Sequence, residues 1–158
     1  MKKIYLSIVV SAAAILSANA ANAQMATSAP MTTSAEMAKD SSLYTALGEK
    51  TGIRQLTDDF VNRLVMDERT KPFFEKANQP RLKEQLADQF CMVSGGPCVY
   101  KGADMKSAHS NLDITKANFN ALVEVLQKTM DAHGIAFKDQ NRLLASLAPM
   151  HRDVITVK

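Results

Sequence analysis

The stretch GGPCVYKGADMKSAHSNLDITKANF, residues 95–119, decides the fold of this chain. Its first three residues, Gly95, Gly96 and Pro97, end a helical pattern, because consecutive glycines followed by a proline do not continue a helix. Residues 98–107 show no clear periodicity, which predicts an irregular loop leading into a short helix around residues 105–111. Thr115 then has the side chain and the position of a helix N-cap. The stretch therefore predicts two longer helices joined by a loop and a short helix.

Helical periodicity continues on both sides of this stretch, with apolar residues spaced three and four apart so that each helix buries one stripe. The pattern predicts a brief helix after Ser41 and Ser42, a central helix over residues 52–67, and a short connection holding Pro72, Phe73 and Phe74. It also predicts a helix from Pro80 to the glycines, one over residues 115–133, and a last helix over residues 138–154 that Pro149 interrupts. No segment alternates with period two, so the predicted fold class is all-α.

Residues 1–23 have the pattern of a secretory signal peptide. Lys2 and Lys3 precede a 13-residue apolar stretch, and small residues follow that offer cleavage after Ala20 or, as we favour, after Ala23. The alternative is an uncleaved anchor, but 13 residues fall short of the roughly 20 that span a bilayer. Residues 24–41 are poor in large aliphatic side chains, which predicts a flexible linker. We expect a periplasmic or secreted domain over residues 42–158 that has no stable membrane insertion after signal removal.

Composition limits the classes of function. The chain has 158 residues, of which 46% are apolar and 22% charged, as expected for one compact domain. Two of its 19 basic residues lie in the leader, so 17 basic residues stand against 16 acidic ones and give no electrostatic case for nucleic acid. Nucleotide-binding glycine loops, serine nucleophile elbows and paired-carboxylate motifs are absent from the sequence. Three histidines are too few for a multi-histidine zinc site.

A single histidine is nevertheless enough for haem iron, because the porphyrin supplies four ligands and the protein needs to supply one imidazole. His109 is the best candidate, since Leu112 and Ile114 follow it and the apolar helix around Phe119 lies beyond. From spacing alone, a lone histidine beside apolar residues is more often a hydrogen-bonded packing residue. The residues by themselves leave both possibilities open.

A family resemblance favours haem ligation. The segments at residues 43–74, 81–90, 95–119 and 143–154 follow the order and spacing of the group I truncated haemoglobins, and the resemblance spans residues 43–156. It implies a two-over-two helical globin fold that holds haem b, with His109 as the proximal iron ligand. Tyr100 and Lys106 are candidate contacts to a haem propionate. The cofactor-binding positions that the resemblance implies are Phe60, Val61, Phe74, Leu82, Leu86, Phe90, Tyr100, Met105, Ile114 and Phe119.

Three pocket positions depart from the family pattern. Many members have a tyrosine directly after the phenylalanine that matches Phe60, and Gln or Thr on the facing helix, so that hydrogen bonds hold O2. This chain has Val61, Leu82 and Leu86 there, and none of them donates a hydrogen bond. Loss of such a bond costs roughly 1 to 3 kcal/mol, or about 5- to 150-fold in affinity. We therefore expect fast O2 release and easy oxidation to ferric iron, unless Lys83 or Gln85 turns into the pocket.

The remaining histidine and cysteine positions bear on haem chemistry. The distal helix has no histidine, which favours iron with one protein ligand. His151 lies one residue away from the position at which some relatives have a histidine that attaches haem covalently. The alternative is that His151 is a surface residue with no role in haem attachment. Cys91 and Cys98 lack the spacing for c-type haem. An oxidising compartment favours a disulfide between them, worth about 2 kcal/mol, over a buried free thiol at Cys91.

These expectations leave several functions open. The first is a haem protein that reversibly binds O2, NO or CO as a carrier or sensor. The second is an enzyme, either an NO dioxygenase served by an electron-donor reductase or a weak peroxidase, although an apolar distal side disfavours both reactions. A haem redox protein is a further alternative, but electron transfer favours two strong axial ligands and one is evident. The last is a haem-free helical adaptor, in which Phe60, Phe74, Phe90 and Phe119 close a smaller core.

Overall fold

A computed structural model describes residues 40–157 of the chain. The predicted signal peptide and all of the predicted linker except Asp40 and Ser41 lie outside the described residues. Within them there is no β-strand, which confirms the all-α prediction. No helix in this part of the chain has the length and apolar character needed to cross a membrane. The helices are α1 (Ser42–Ala46), α2 (Glu49–Met66), α3 (Lys71–Phe74), α4 (Gln79–Val93), α5 (Met105–His109), α6 (Lys116–Ala132), α7 (Phe137–Leu147) and α8 (His151–Val154), with a 3₁₀ turn at Ala148–Met150 before α8.

Helix α2 forms the centre of the core. Its apolar stripe is buried, with Ile53, Leu56 and Leu64 at most 1% exposed. The helix packs against both α4 and α6. The rings of Phe60 on α2 and Phe90 on α4 stack with their centroids 6.4 Å apart. Burial of each such side chain contributes about 1.5 to 3 kcal/mol, so the buried stripe of α2 is a substantial source of stability.

Helix α2 begins at Glu49, three residues before Gly52, where the sequence pattern placed its start. Gly48 provides the turn out of α1 with a left-handed φ of 77°. Gly52 lies within the first turn of α2, where its N–H donates to the carbonyl of Gly48 at 2.8 Å. A Cβ on Gly52 would lie 2.3 Å from the carbonyl oxygen of Leu47. Glycine here allows α1 to approach α2 closely, and it does not end a helix.

The pair Gly95 and Gly96 ends α4 as predicted, and it also makes room for α1. Gly95 has φ +94°, a backbone conformation that side chains disfavour. A Cβ on Gly96 would lie 2.5 Å from the ring of Tyr44 and 2.6 Å from Sγ of Cys91. The N–H of Tyr44 donates to the carbonyl of Ser94 at 3.0 Å. The glycines therefore let the first helix dock on the end of α4.

Two local predictions were right and one was wrong. Thr115 caps α6 in a capping box with Asn118, as its position predicted. Pro149 lies in the 3₁₀ turn that separates α7 from α8, so the last helix is interrupted where the proline predicted. The segment holding Pro72, predicted as a short connection, forms a short helix, α3, because proline is tolerated in the first turn of a helix.

Candidate functional site

Helix α5 carries His109 at its last residue and is held by a cap at its start. The carboxylate of Asp104 accepts hydrogen bonds from the backbone N–H of Ser107 at 2.9 Å and from its hydroxyl at 2.6 Å. These bonds lower the pKa of Asp104, the side-chain bond from Ser107 most of all. A five-residue helix is marginal by itself, so this cap helps to place His109.

The imidazole of His109 is oriented by its own helix. Its Nδ1 lies 2.6 Å from the carbonyl oxygen of Met105. A carbonyl oxygen can only accept a hydrogen bond, so Nδ1 carries the proton and donates. The lone pair of the neutral ring is then on Nε2, which is the arrangement found in metal-binding histidines whose second nitrogen donates to a backbone carbonyl. His109 thus has one nitrogen free to bind a metal.

A small cavity of about 50 Å³ lies beside His109. Most of its lining is apolar, and Phe73, Phe74, Phe119 and Leu122 are only partly buried. Large apolar side chains left partly exposed around a concavity mark a binding site for an apolar group. The lining residues are Thr70, Phe73, Phe74, His109, Leu112, Ile114, Asn118, Phe119, Leu122 and Val154. Apolar walls and a free imidazole nitrogen fit a flat apolar ring that carries an iron.

The structure brings together four of the residues predicted for the site, and the others do not line the same cavity. Phe74, His109, Ile114 and Phe119 line the cavity. Three of the others lie in the core and are at most 2% exposed: Phe60, Val61 and Phe90. Four more are partly buried: Leu82, Leu86, Tyr100 and Met105.

The polar residues proposed for the pocket have other partners in this structure. The hydroxyl of Tyr100 donates to the carbonyl of Ala103 at 2.8 Å, and burial raises the pKa of the phenol. The side chain of Lys106 is exposed. The ammonium of Lys83 is held on the α2 side, 2.7 Å from Oδ1 of Asp58 and 2.8 Å from Oδ1 of Asn62. Lys83 is therefore engaged by α2 and does not turn into the pocket.

Several residues of the site were missed in the sequence. Phe73 adjoins Phe74, and Leu122 follows Phe119 by three positions, so helical spacing would have found Leu122. The ring of His151 meets Phe119 edge to face, with centroids 4.9 Å apart. Phe119 thus connects the wall of the cavity to α8.

Comparison with known proteins identifies the family of this chain. The bacterial-like globin family model matches residues 42–156. The chain is 30% identical over 97 residues to a group 1 truncated hemoglobin of Tetrahymena pyriformis, an alignment covering 61% of this chain and 80% of the relative. It is also 30% identical over 122 residues to one from Synechocystis, covering 73% and 98%. The chain belongs to the group I truncated globins.

The fold agrees with that of solved truncated globins. The crystal structure of the Fe(III) form of the Tetrahymena pyriformis truncated hemoglobin superposes with a TM-score of 0.69 at 26% identity, covering 72% of this chain and 97% of that one. This likeness confirms the predicted two-over-two helical globin fold. As a group I truncated globin the protein uses haem b, which confirms the predicted cofactor, and its function is haem-based binding of diatomic gas ligands. The iron of a bound haem supplies the position at which such a gas binds.

Proposed function

We propose that this truncated globin is an exported carrier or sensor that binds O2 or NO reversibly, with His109 as the protein ligand to the iron. The observation that carries the proposal is the hydrogen bond from Nδ1 of His109 to the carbonyl of Met105, because it orients the ring and leaves Nε2 as the nitrogen available to a metal. The family's haem-pocket positions at Phe74, Ile114 and Phe119 surround the same cavity. The roles of these residues follow from the resemblance and the geometry together.

A carrier or sensor is favoured over an enzyme by the side chains at the positions where many relatives have hydrogen-bond donors. Val61 is fully buried, and Leu82 and Leu86 are half buried on α4. None of the three can donate a hydrogen bond to a polar ligand or a proton to a reaction. A pocket of this kind binds and releases a gas but contributes little to breaking an O–O bond. NO dioxygenation with a reductase partner is the outcome that would contradict this proposal.

Export is proposed from the sequence of residues 1–23 and from the disulfide between Cys91 and Cys98. Disulfides persist in oxidising compartments and are rare in the cytosol. Cell fractionation of a bacterium expressing the full chain, followed by N-terminal sequencing, tests this part. We expect the protein in the periplasm or medium and a new N-terminus after Ala20 or Ala23. An intact N-terminus in the cytosol would contradict it.

The iron ligand is tested by absorption spectroscopy on the protein expressed with sufficient haem. The oxidised, reduced and CO-bound spectra are compared for the wild type, His109→Ala and the control His133→Ala. His133 lies at the end of α6, where its Nε2 faces Asp59 at 3.3 Å, and it is outside the cavity. We expect a haem band that shifts with CO in the wild type and the control.

In His109→Ala we expect the band to be lost or strongly altered, and added imidazole to restore it because imidazole fits the space left by the side chain. Circular dichroism checks that the variant is folded. An unchanged band in folded His109→Ala would refute the ligand assignment. Failure of the wild type to bind haem would favour the helical adaptor. The rate at which NO oxidises the oxygenated protein then separates a carrier from a dioxygenase.

A further inference from the structure

The chain between His109 and the next long helix is short and has little regular structure of its own. Only residues 110–114 separate His109 from Thr115, the N-cap of α6. Within this segment the N–H of Leu112 donates to the carbonyl of His109 at 3.2 Å. Asp113 has a φ of 48°, a left-handed conformation that is uncommon for a residue with a side chain. A segment with such a residue keeps one conformation only when contacts from outside hold it.

These outside contacts come from Thr156, which follows α8. Its Oγ1 accepts a hydrogen bond from the N–H of Ile114 at 2.8 Å. The N–H groups of Thr156 and Val157 both donate to the carbonyl of Ile114, at 3.0 and 3.1 Å. Both polar main-chain groups of Ile114 are therefore bonded to residues that lie far along the chain. Thr156 thus fixes the last residue of the segment that follows His109.

The residue that Thr156 holds is part of the cavity wall. Ile114 is 7% exposed and lines the same cavity as His109. Val154, two residues before Thr156, lines this cavity as well. Helix α8 also packs against α5, the helix that ends at His109. A movement of Thr156 away from Ile114 would therefore displace a wall of the cavity and free the chain after α5.

We propose that Thr156 is a positioning residue for His109: its hydrogen bond to Ile114 fixes the segment after α5 and so keeps the imidazole in one orientation toward the iron of a bound haem. This inference rests on the proposed function, since it requires His109 to be the iron ligand. The cap at Asp104 fixes the start of α5, and Thr156 fixes the chain beyond its end. Because a five-residue helix is marginal by itself, a constraint on each side determines where its last residue lies.

The test compares Thr156→Val with Thr156→Ser and with Thr51→Val. Valine has the shape of threonine but cannot accept the bond from Ile114, whereas serine keeps the hydroxyl. Thr51→Val makes the same change at an exposed threonine of α2, outside the cavity. We expect Thr156→Val to lose haem to excess haem-free myoglobin about 2- to 12-fold faster than the wild type, the range for net loss of one neutral hydrogen bond, and the other two variants to stay within about twofold.

Resonance Raman spectroscopy of the reduced protein gives a readout that a loss of stability alone would not move. The vibration of the bond between iron and histidine depends on the orientation of the imidazole. We expect this line to broaden and move to lower frequency in Thr156→Val, and to match the wild type in Thr156→Ser and Thr51→Val. An unchanged line in Thr156→Val overturns the proposal even if haem is lost faster, because Thr156 then only stabilises the fold.

Hydrogen exchange in the unaltered, haem-loaded and CO-bound protein tests the contact itself. We expect the amide of Ile114 to exchange at least about tenfold more slowly than the amide of its exposed neighbour Asp113. Equal exchange at the two positions overturns the proposal, whether or not Thr156→Val folds. Failure of the proposed function gives a different result: the wild type then lacks an iron–histidine line, or the line survives in folded His109→Ala.

Discussion

Removal of the disulfide between Cys91 and Cys98 is expected to destabilise the protein without altering its fold. The bond joins the end of α4 to the loop that leads to α5, and the two cysteines are seven residues apart. The chain-entropy model assigns a loop of this size about 2.5 kcal/mol, because the cross-link restricts the unfolded chain. Cys91 is 1% exposed, so a serine there would add a buried hydroxyl to the cost. Cys98→Ala is the cleaner change, since it leaves Cys91 as a small buried apolar thiol.

Urea unfolding followed by circular dichroism, with equal haem loading, measures this effect. We expect the free energy of unfolding of Cys98→Ala to fall by about 2.5 kcal/mol, which at a slope of about 2 kcal/mol per molar corresponds to a midpoint lower by roughly 1.2 M urea. A reductant should lower the midpoint of the wild type to a similar value and leave Cys98→Ala unchanged. A loss below about 1 kcal/mol would refute the entropic reasoning, since the model cannot give so little for this loop. Sensitivity of Cys98→Ala to reductant would show that the reagent acts elsewhere.

Three further predictions concern packing, acid stability and the pocket. In thermal unfolding, Gly96→Ala should lose about 1 to 3 kcal/mol, because its Cβ would meet the ring of Tyr44 at 2.5 Å; an unchanged unfolding temperature would contradict this. Hydrogen bonds from Arg69 lower the pKa of Asp67 from 3.8 to about 2, so this pair stabilises the fold above pH 4 and the contribution is lost as the pH falls from about 4 to 2. In acid titrations of stability, Asp67→Asn should not show this loss. Solvent screening limits the loss to less than about tenfold in the folded-to-unfolded ratio. A titration of Asp67→Asn that matches the wild type would disprove the assignment. Leu86→Gln adds a donor to the half-buried stripe of α4 and should slow O2 dissociation by about 5- to 150-fold in stopped-flow measurements, whereas Leu86→Met should not.

Local chemistry explains why much of the fold was predictable. Thr115 and Asn118 cap α6 through groups three residues apart, and the glycines after α4 end that helix through their own backbone freedom. The start of α2 was not predictable in this way. Glycine is unfavourable inside a helix. Only the close approach of the Leu47 carbonyl to Gly52 shows why a glycine lies inside α2.

The position of α3 depends on contacts that no local pattern contains. The hydroxyl of Thr70, which precedes α3, is buried and donates to the carbonyl of Leu64 on α2 at 2.7 Å. This bond fixes the turn that brings Phe73 and Phe74 to the cavity. The sequence contains both phenylalanines but carries no signal for the direction in which the chain turns before them.

From the amino-acid sequence alone, the all-α class and the helix ends at glycines and caps could be predicted, because each depends on residues close together in the chain. His109 became the candidate iron ligand through a resemblance that spans residues 43–156. The hydrogen-bond partners of Gln89 could not be predicted from the sequence. Its contact to Met150 joins residues 61 positions apart, and its burial follows from how α4 packs near α5 and the 3₁₀ turn. Tertiary packing therefore decided that this polar side chain is buried, since a side chain's burial and partners depend on helices that are distant in sequence.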